Sequence, residues 1–145
     1  MLRKAIALLF TLVLLSGCSE VKTSDAKESY RYWAGIKPLA DMEVLAGRYW
    51  QSAHWTLEYE VFLKLKPTKE WWDAFVEQNS LVEDKEVWKP PTSNRADNIP
   101  DWLQPSEKSI RYRRPKKEVN GWDFDRNRYI HDPETGIVYI YELQL

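Results

Sequence analysis

Between residues 54 and 66 the chain alternates. Trp55, Leu57, Tyr59, Val61, Leu63 and Leu65 form an apolar set, and His54, Thr56, Glu58, Glu60, Phe62, Lys64 and Lys66 a mostly polar one. A period of two puts the two sets on opposite faces of a strand. The segment therefore predicts one strand of an antiparallel sheet with one face on the core and the other in water. Pro67 ends the run and Thr68 can cap a helix. Trp71 with Phe75, and Trp72 with Val76, then fall at i, i+4, so residues 69–78 predict a helix that Asn79-Ser80 closes.

A second strong signal lies at the C-terminus. Tyr129, Ile130 and His131 lead into Asp132-Pro133-Glu134-Thr135-Gly136, where proline presets a turn and glycine supplies a positive φ. Ile137, Tyr139, Tyr141, Leu143 and Leu145 then alternate with Val138, Ile140, Glu142 and Gln144, which completes a hairpin. Residues 109–113 predict a short strand, and the proline-rich stretch 90–105 a loop with one helical turn over residues 100–103. Leu39, Met42, Leu45 and Ala46 have helical spacing, which predicts a helix in 38–50 stopped by Gly47. Together these elements predict an α+β domain, a small antiparallel sheet with a C-terminal hairpin and one or two helices. It spans residues 30–145, because the aromatics begin at Tyr30, Tyr32 and Trp33. Residues 19–29 are polar and predict a flexible tether that starts at Cys18.

The N-terminus predicts a signal helix that is removed. Arg3 and Lys4 precede an apolar run over residues 5–15, too short to span a bilayer core, which needs about 20 residues. Leu15-Ser16-Gly17-Cys18 follows. This motif resembles the lipobox of bacterial lipoproteins. The resemblance implies a signal over residues 1–17, cleavage before Cys18, a diacylglycerol thioether on its sulfur and acylation of its new amino group. Ser19, in place of the aspartate linked to inner-membrane retention, implies the periplasmic face of the outer membrane. Alternatives are an ordinary secreted protein or an uncleaved apolar anchor. Cys18 is the only cysteine. Once lipidated, it leaves a domain with neither thiol nor disulfide, held together by packing alone.

Charge narrows the partners. Loss of residues 1–17, with Arg3 and Lys4, leaves 128 residues at net charge −3. That balance argues against nucleic acid, which needs a basic face. Local charge is less even. Lys108, Arg111, Arg113, Arg114, Lys116 and Lys117 form a basic window around Tyr112. It reads either as a contact for lipid phosphate, anionic glycan or an acidic partner, or as a loop balanced by nearby carboxylates. The eight tryptophans exceed what one small core holds. Trp88 and Trp102 lie in loop sequence and read either as binding aromatics or as wedges beneath loops. Trp88, Trp102, Arg111, Arg113 and Arg114 are the candidate binding residues.

Catalytic and metal patterns are weak. His54 and His131 are the only histidines, too few for the usual zinc site. Asp123, Asp125, Asn127, Tyr129, His131 and Glu134 match positions of a calcium loop, but Arg128 stands where the loop needs glycine and Pro133 interrupts it. A glycan hydrolase needs two carboxylates in one cleft, and Glu58 with Glu60 is only one of many pairs. Gly35, Gly47, Gly121 and Gly136 are too scattered for a phosphate loop. No cofactor or metal is expected. The expectation is a non-enzymatic, membrane-anchored binding module of the envelope, with an envelope protein or glycan as partner. The alternatives are a structural subunit that pairs through the edge of strand 137–145, or a periplasmic glycan hydrolase.

Overall fold

The computed structural model describes residues 19–54, 58–86, 99–115, 118–119, 122–123 and 126–144. The proposed signal with Cys18, the residues Trp55, Leu57, Trp88 and Leu145, and Lys116 and Lys117 lie outside them. In chain order the elements are β1 (Val21–Thr23), α1 (Ala26–Ala34), β2 (Glu43–Gln51), β3 (Tyr59–Lys66), α2 (Lys69–Gln78), β4 (Val82–Glu83), β5 (Ile110–Arg113), β6 (Glu118–Val119), β7 (Trp122–Asp123), β8 (Arg128–His131) and β9 (Val138–Gln144). Seven strands form one antiparallel sheet in the order β1-β2-β3-β9-β8-β5-β4, while β6 and β7 pair separately. The fold is α+β, as the sequence predicts.

The expected elements at 69–78, 109–113 and the C-terminal hairpin are all present. Thr68 caps α2, its hydroxyl accepting from the Trp71 amide at 3.2 Å. Asp132 closes the hairpin turn: its carboxylate accepts from the Glu134 amide at 2.9 Å, and the Gly136 amide bonds the Asp132 carbonyl at 2.8 Å. Gly136 has φ +70, the left-handed conformation that favours glycine. Leu103 N–H bonds the Pro100 carbonyl at 2.9 Å, the predicted single turn.

Several expectations are corrected. Residues 43–51 form a strand, not a helix. The register slips between Val44, opposite Leu65, and Ala46, opposite Lys64, so Leu45 is the extra residue of a bulge. That insertion breaks the alternation of a strand and mimics helical spacing. Next, the segment expected to be a tether is folded from Val21 onward. Within it Lys27 and Glu28 lie on the exposed flank of α1, whose Ser29 and Tyr30 are buried. Asp25 caps this helix, accepting from the Glu28 amide at 2.8 Å. Finally, β9 is not an edge. It lies between β3 and β8 at the centre of the sheet, so strand addition at 137–145 is closed off.

Both faces of the sheet are buried. On one, Val61, Leu63 and Leu65 of β3, Val138 and Ile140 of β9, and Tyr129 of β8 pack beneath both helices. On the other, Phe62, Ile130, Tyr139 and Tyr141 pack with Leu103, with Trp102 alongside. The wet face expected for β3 is therefore a second core, which holds Phe62 at 3 % exposure and Glu60 at 1 %.

Candidate functional site

Buried charge marks the most distinctive chemistry in the domain. Glu142 shares the helix-covered face with Val138 and Ile140 and is 4 % exposed. Its carboxylate accepts from the Tyr129 hydroxyl at 2.6 Å, the Tyr59 hydroxyl at 2.9 Å and Trp33 Nε1 at 2.9 Å. The Arg114 guanidinium stands 3.5 Å from Oε1 and lies over the Tyr129 ring at 5.9 Å. Four elements thus converge on one side chain: α1 through Trp33, β3 through Tyr59, β8 through Tyr129, and the end of β5 through Arg114. A carboxylate offers about four acceptor positions, and three donors and a cation account for them. Burial, then the charge of Glu142 and its hydrogen bond, push the Tyr59 hydroxyl well above the ordinary phenol range. Tyr49 and Tyr32 continue the aromatic surface: Tyr59 stacks on Tyr49 at 5.9 Å, and Tyr49 on Tyr32 at 5.2 Å.

A second buried carboxylate lies at the far edge of the sheet. Asp84 follows β4, and its oxygens stand 3.7 Å from Arg113 Nε and 3.0 Å from Arg128 Nε. Glu60, on the opposite face from Glu142, accepts from the Tyr141 hydroxyl at 3.3 Å. Burial, followed by the charge of Glu60, pushes that hydroxyl up as well. These carboxylates tie strands together. Glu60 and Glu142 are on opposite faces, so they cannot flank one glycosidic bond as the hydrolase chemistry requires.

The basic window is divided by the sheet. Arg113 holds Asp84, Arg114 holds Glu142, and Lys108 pairs with Glu134 at 2.6 Å on the surface. Arg111 pairs in register with Ile130, which places it on the same face as Trp102. The structure thus brings Trp102, Arg111 and Arg113 to one face and turns Arg114 to the other. Trp102 is half-buried against the second core. The sequence reading missed Glu142 as a hub. Its signal was an acid at an alternating position between strongly apolar strand residues, where a buried charge needs partners.

The histidines and the calcium pattern resolve simply. His54 is exposed in a bend, its amide bonding Ser52 Oγ at 3.4 Å. His131 stacks on Trp72 at 5.0 Å, and burial holds its pKa below the ordinary imidazole value. The segment from Arg128 to His131 is a strand, and the Asn127 side chain accepts from the Leu143 amide at 2.9 Å, while Asp125 and the Asp123 side chain of that pattern lie outside the described residues. No cluster of three metal-ligating side chains occurs among the described residues. None of the described helices is long and apolar enough to cross a membrane. The chain matches no family model, no curated protein and no solved structure.

Proposed function

We propose that the protein is a lipoprotein of the cell envelope, anchored through Cys18 on the periplasmic face of the outer membrane, and that its domain is a non-enzymatic binding module. The observation that carries the second half is the commitment of Glu142. Both of its oxygens serve Trp33, Tyr59 and Tyr129, with Arg114 beside them. A general acid or base needs a lone pair or proton free for substrate. This carboxylate instead fixes the positions of Tyr59 and Arg114. The anchor rests on Leu15-Ser16-Gly17-Cys18. The partner is an envelope protein or an anionic glycan. It is held by Arg111 and the exposed part of Trp102, on the rim of a rigid sheet, where loops tend to carry binding residues.

Two experiments test this reading. Metabolic labelling with a fatty-acid probe should mark the wild-type protein, and Cys18→Ser should accumulate as a larger unlabelled precursor. Label on the Cys18→Ser protein would sink the anchor. For the binding surface, Arg111→Ala is the informative change, because Arg113 and Arg114 also hold buried carboxylates and Trp102 also packs on the core. After in-cell crosslinking, Arg111→Ala should lose its envelope partner with the unfolding midpoint unchanged. Undiminished retrieval would place the partner elsewhere.

A further inference from the structure

A cleft of about 460 Å³ opens between the outer flank of α1 and the segment that leads into β2. It is lined by Lys27, Glu28 and Arg31 of the helix and by Lys37, Pro38, Leu39, Ala40 and Met42. Three cations face one carboxylate, and that carboxylate is already engaged: Glu28 accepts from the Thr23 hydroxyl at 2.9 Å and stands 3.7 Å from Arg31. Lys27 and Lys37 are exposed and make no ion pair among the described residues. Large apolar groups stand beside the cations. Leu39 is 49 % exposed and Ile36, next to Lys37, is 59 % exposed. Exposed aliphatic side chains among unpaired lysines are the composition of a surface that lies in a lipid interface.

The start of the fold sets which end of β2 the lipid would hold. Only Ser19 and Glu20 separate Cys18 from β1, and three residues of extended chain reach about 10 Å. Glu20 is itself bonded to Trp50 Nε1, which fixes the approach. A lipid on Cys18 would therefore hold the Gln51 end of β2 at the bilayer, and the cleft, whose segment 37–42 enters β2 at its Glu43 end, meets the membrane when β2 lies along the surface.

We propose that this cleft docks anionic phospholipid headgroups. Lys27, Arg31 and Lys37 contact their phosphates, and Leu39 and Ile36 enter the acyl boundary. The orientation rests on the lipid-anchor reading, but the chemistry of the cleft does not. Every described strand and helix, and both cores, lie beyond Glu20. The chain from Ser19 to Leu145 can thus be tested without its lipid. It should co-sediment with vesicles of phosphatidylcholine containing phosphatidylglycerol, and not with phosphatidylcholine alone. Lys27→Ala with Lys37→Ala should weaken that binding by about thirtyfold, since each cation near an anionic surface contributes about fivefold. The unfolding midpoint should not move. Leu39→Asn should also weaken binding. Equal binding to both vesicle types, or full binding by the double variant, would overturn the proposal. So would displacement from vesicles by inorganic phosphate at matched ionic strength, which would make the cleft a site for a soluble anion. Because this chain lacks Cys18, such failures leave the anchor standing, and the anchor is read separately by fatty-acid labelling.

Discussion

Glu142 and the tyrosines around it set the chemistry at the scale of single residues. A buried carboxylate is tolerated only while its oxygens have donors, and removing it strands the donors in turn. Glu142→Leu would leave the Tyr59 and Tyr129 hydroxyls and the Trp33 N–H without their acceptor, and Arg114 without its anion. The expected loss is about 3–5 kcal/mol in urea unfolding, with Glu142→Gln losing less because one acceptor oxygen survives. A Glu142→Leu protein as stable as the parent would show that the cluster contributes nothing to stability. The raised tyrosines make a second prediction. Tyr59 and Tyr141 stay protonated in the folded protein beyond the ordinary range, whereas in the unfolded chain they ionise near pH 10. Their contribution is complete below the unfolded value and is lost as pH rises from about 10 through the folded values. The urea midpoint should therefore fall steeply above about pH 10, with phenolate absorbance from these two rings appearing only as the fold is lost. Their titration near pH 10 in the intact fold would contradict the burial described above. None of this cluster was legible in the sequence beyond the position of Glu142 among apolar residues, because Trp33 and Glu142 meet across 109 residues of chain.

Single elements were legible where one periodicity acted alone. β3, α2 and the final hairpin each carry an uninterrupted pattern with a proline, threonine cap or glycine at the boundary; α2 and the hairpin form where that pattern places them, while β3 begins at Tyr59, short of the expected start at His54, which lies in a bend. β2 and α1 were misread for opposite reasons. In β2 the bulged Leu45 breaks the alternation, and Leu39 and Met42, which precede the strand, complete an apparent helical spacing with it. In α1 the polar side chains hide a helix so short that only one flank is buried, although Asp25 and Glu28 stand at the spacing of a capping box. Gly47 was read as a helix stop, and its actual role is steric. A Cβ on Gly47 would meet Ser29 Cβ at 2.7 Å and the Ala26 carbonyl at 3.1 Å, so this glycine lets α1 lie directly on β2. Gly47→Ala should therefore destabilise the domain by about 1–3 kcal/mol through overpacking. Adding Ser29→Gly removes the closest atom and should restore part of the loss. If Gly47→Ala proves neutral alone, the helix does not rest on the strand as closely as these distances say.

For the whole molecule, the decisive feature is a sheet buried on both sides. Helices α1 and α2 cover one face, while a segment without regular structure around Trp102 and Leu103 contributes to covering the other. The Tyr139 hydroxyl bonds the Gln104 carbonyl at 3.2 Å, and Ser106 bonds Asp132 at 3.1 Å, which fasten that segment to the hairpin. The sequence pointed to this arrangement in residues 138–141, where Val138, Tyr139, Ile140 and Tyr141 supply apolar groups to both faces at once. It was obscured in β3 by Glu60 and Lys64, whose charges suggested water. Glu60 is instead buried against the Tyr141 hydroxyl, and Lys64 lies over the Tyr139 ring at 5.6 Å. Adjacent residues of β3 can therefore probe the two cores separately. Leu63 is 0 % exposed under the helices and Phe62 is 3 % exposed on the opposite face. Leu63→Ala should cost about 2–5 kcal/mol and Phe62→Ala about 3–5 kcal/mol. The side chains point in opposite directions and belong to separate clusters, so the two losses should add apart from coupling through their shared backbone, which a double-mutant cycle reads. Domains of this size are stable by about 5–15 kcal/mol, so the double variant should lose a large part of its stability, while each single variant still unfolds cooperatively in urea. A Phe62→Ala loss below about 1 kcal/mol would mean that water reaches the second face, leaving one core under the helices to support the fold.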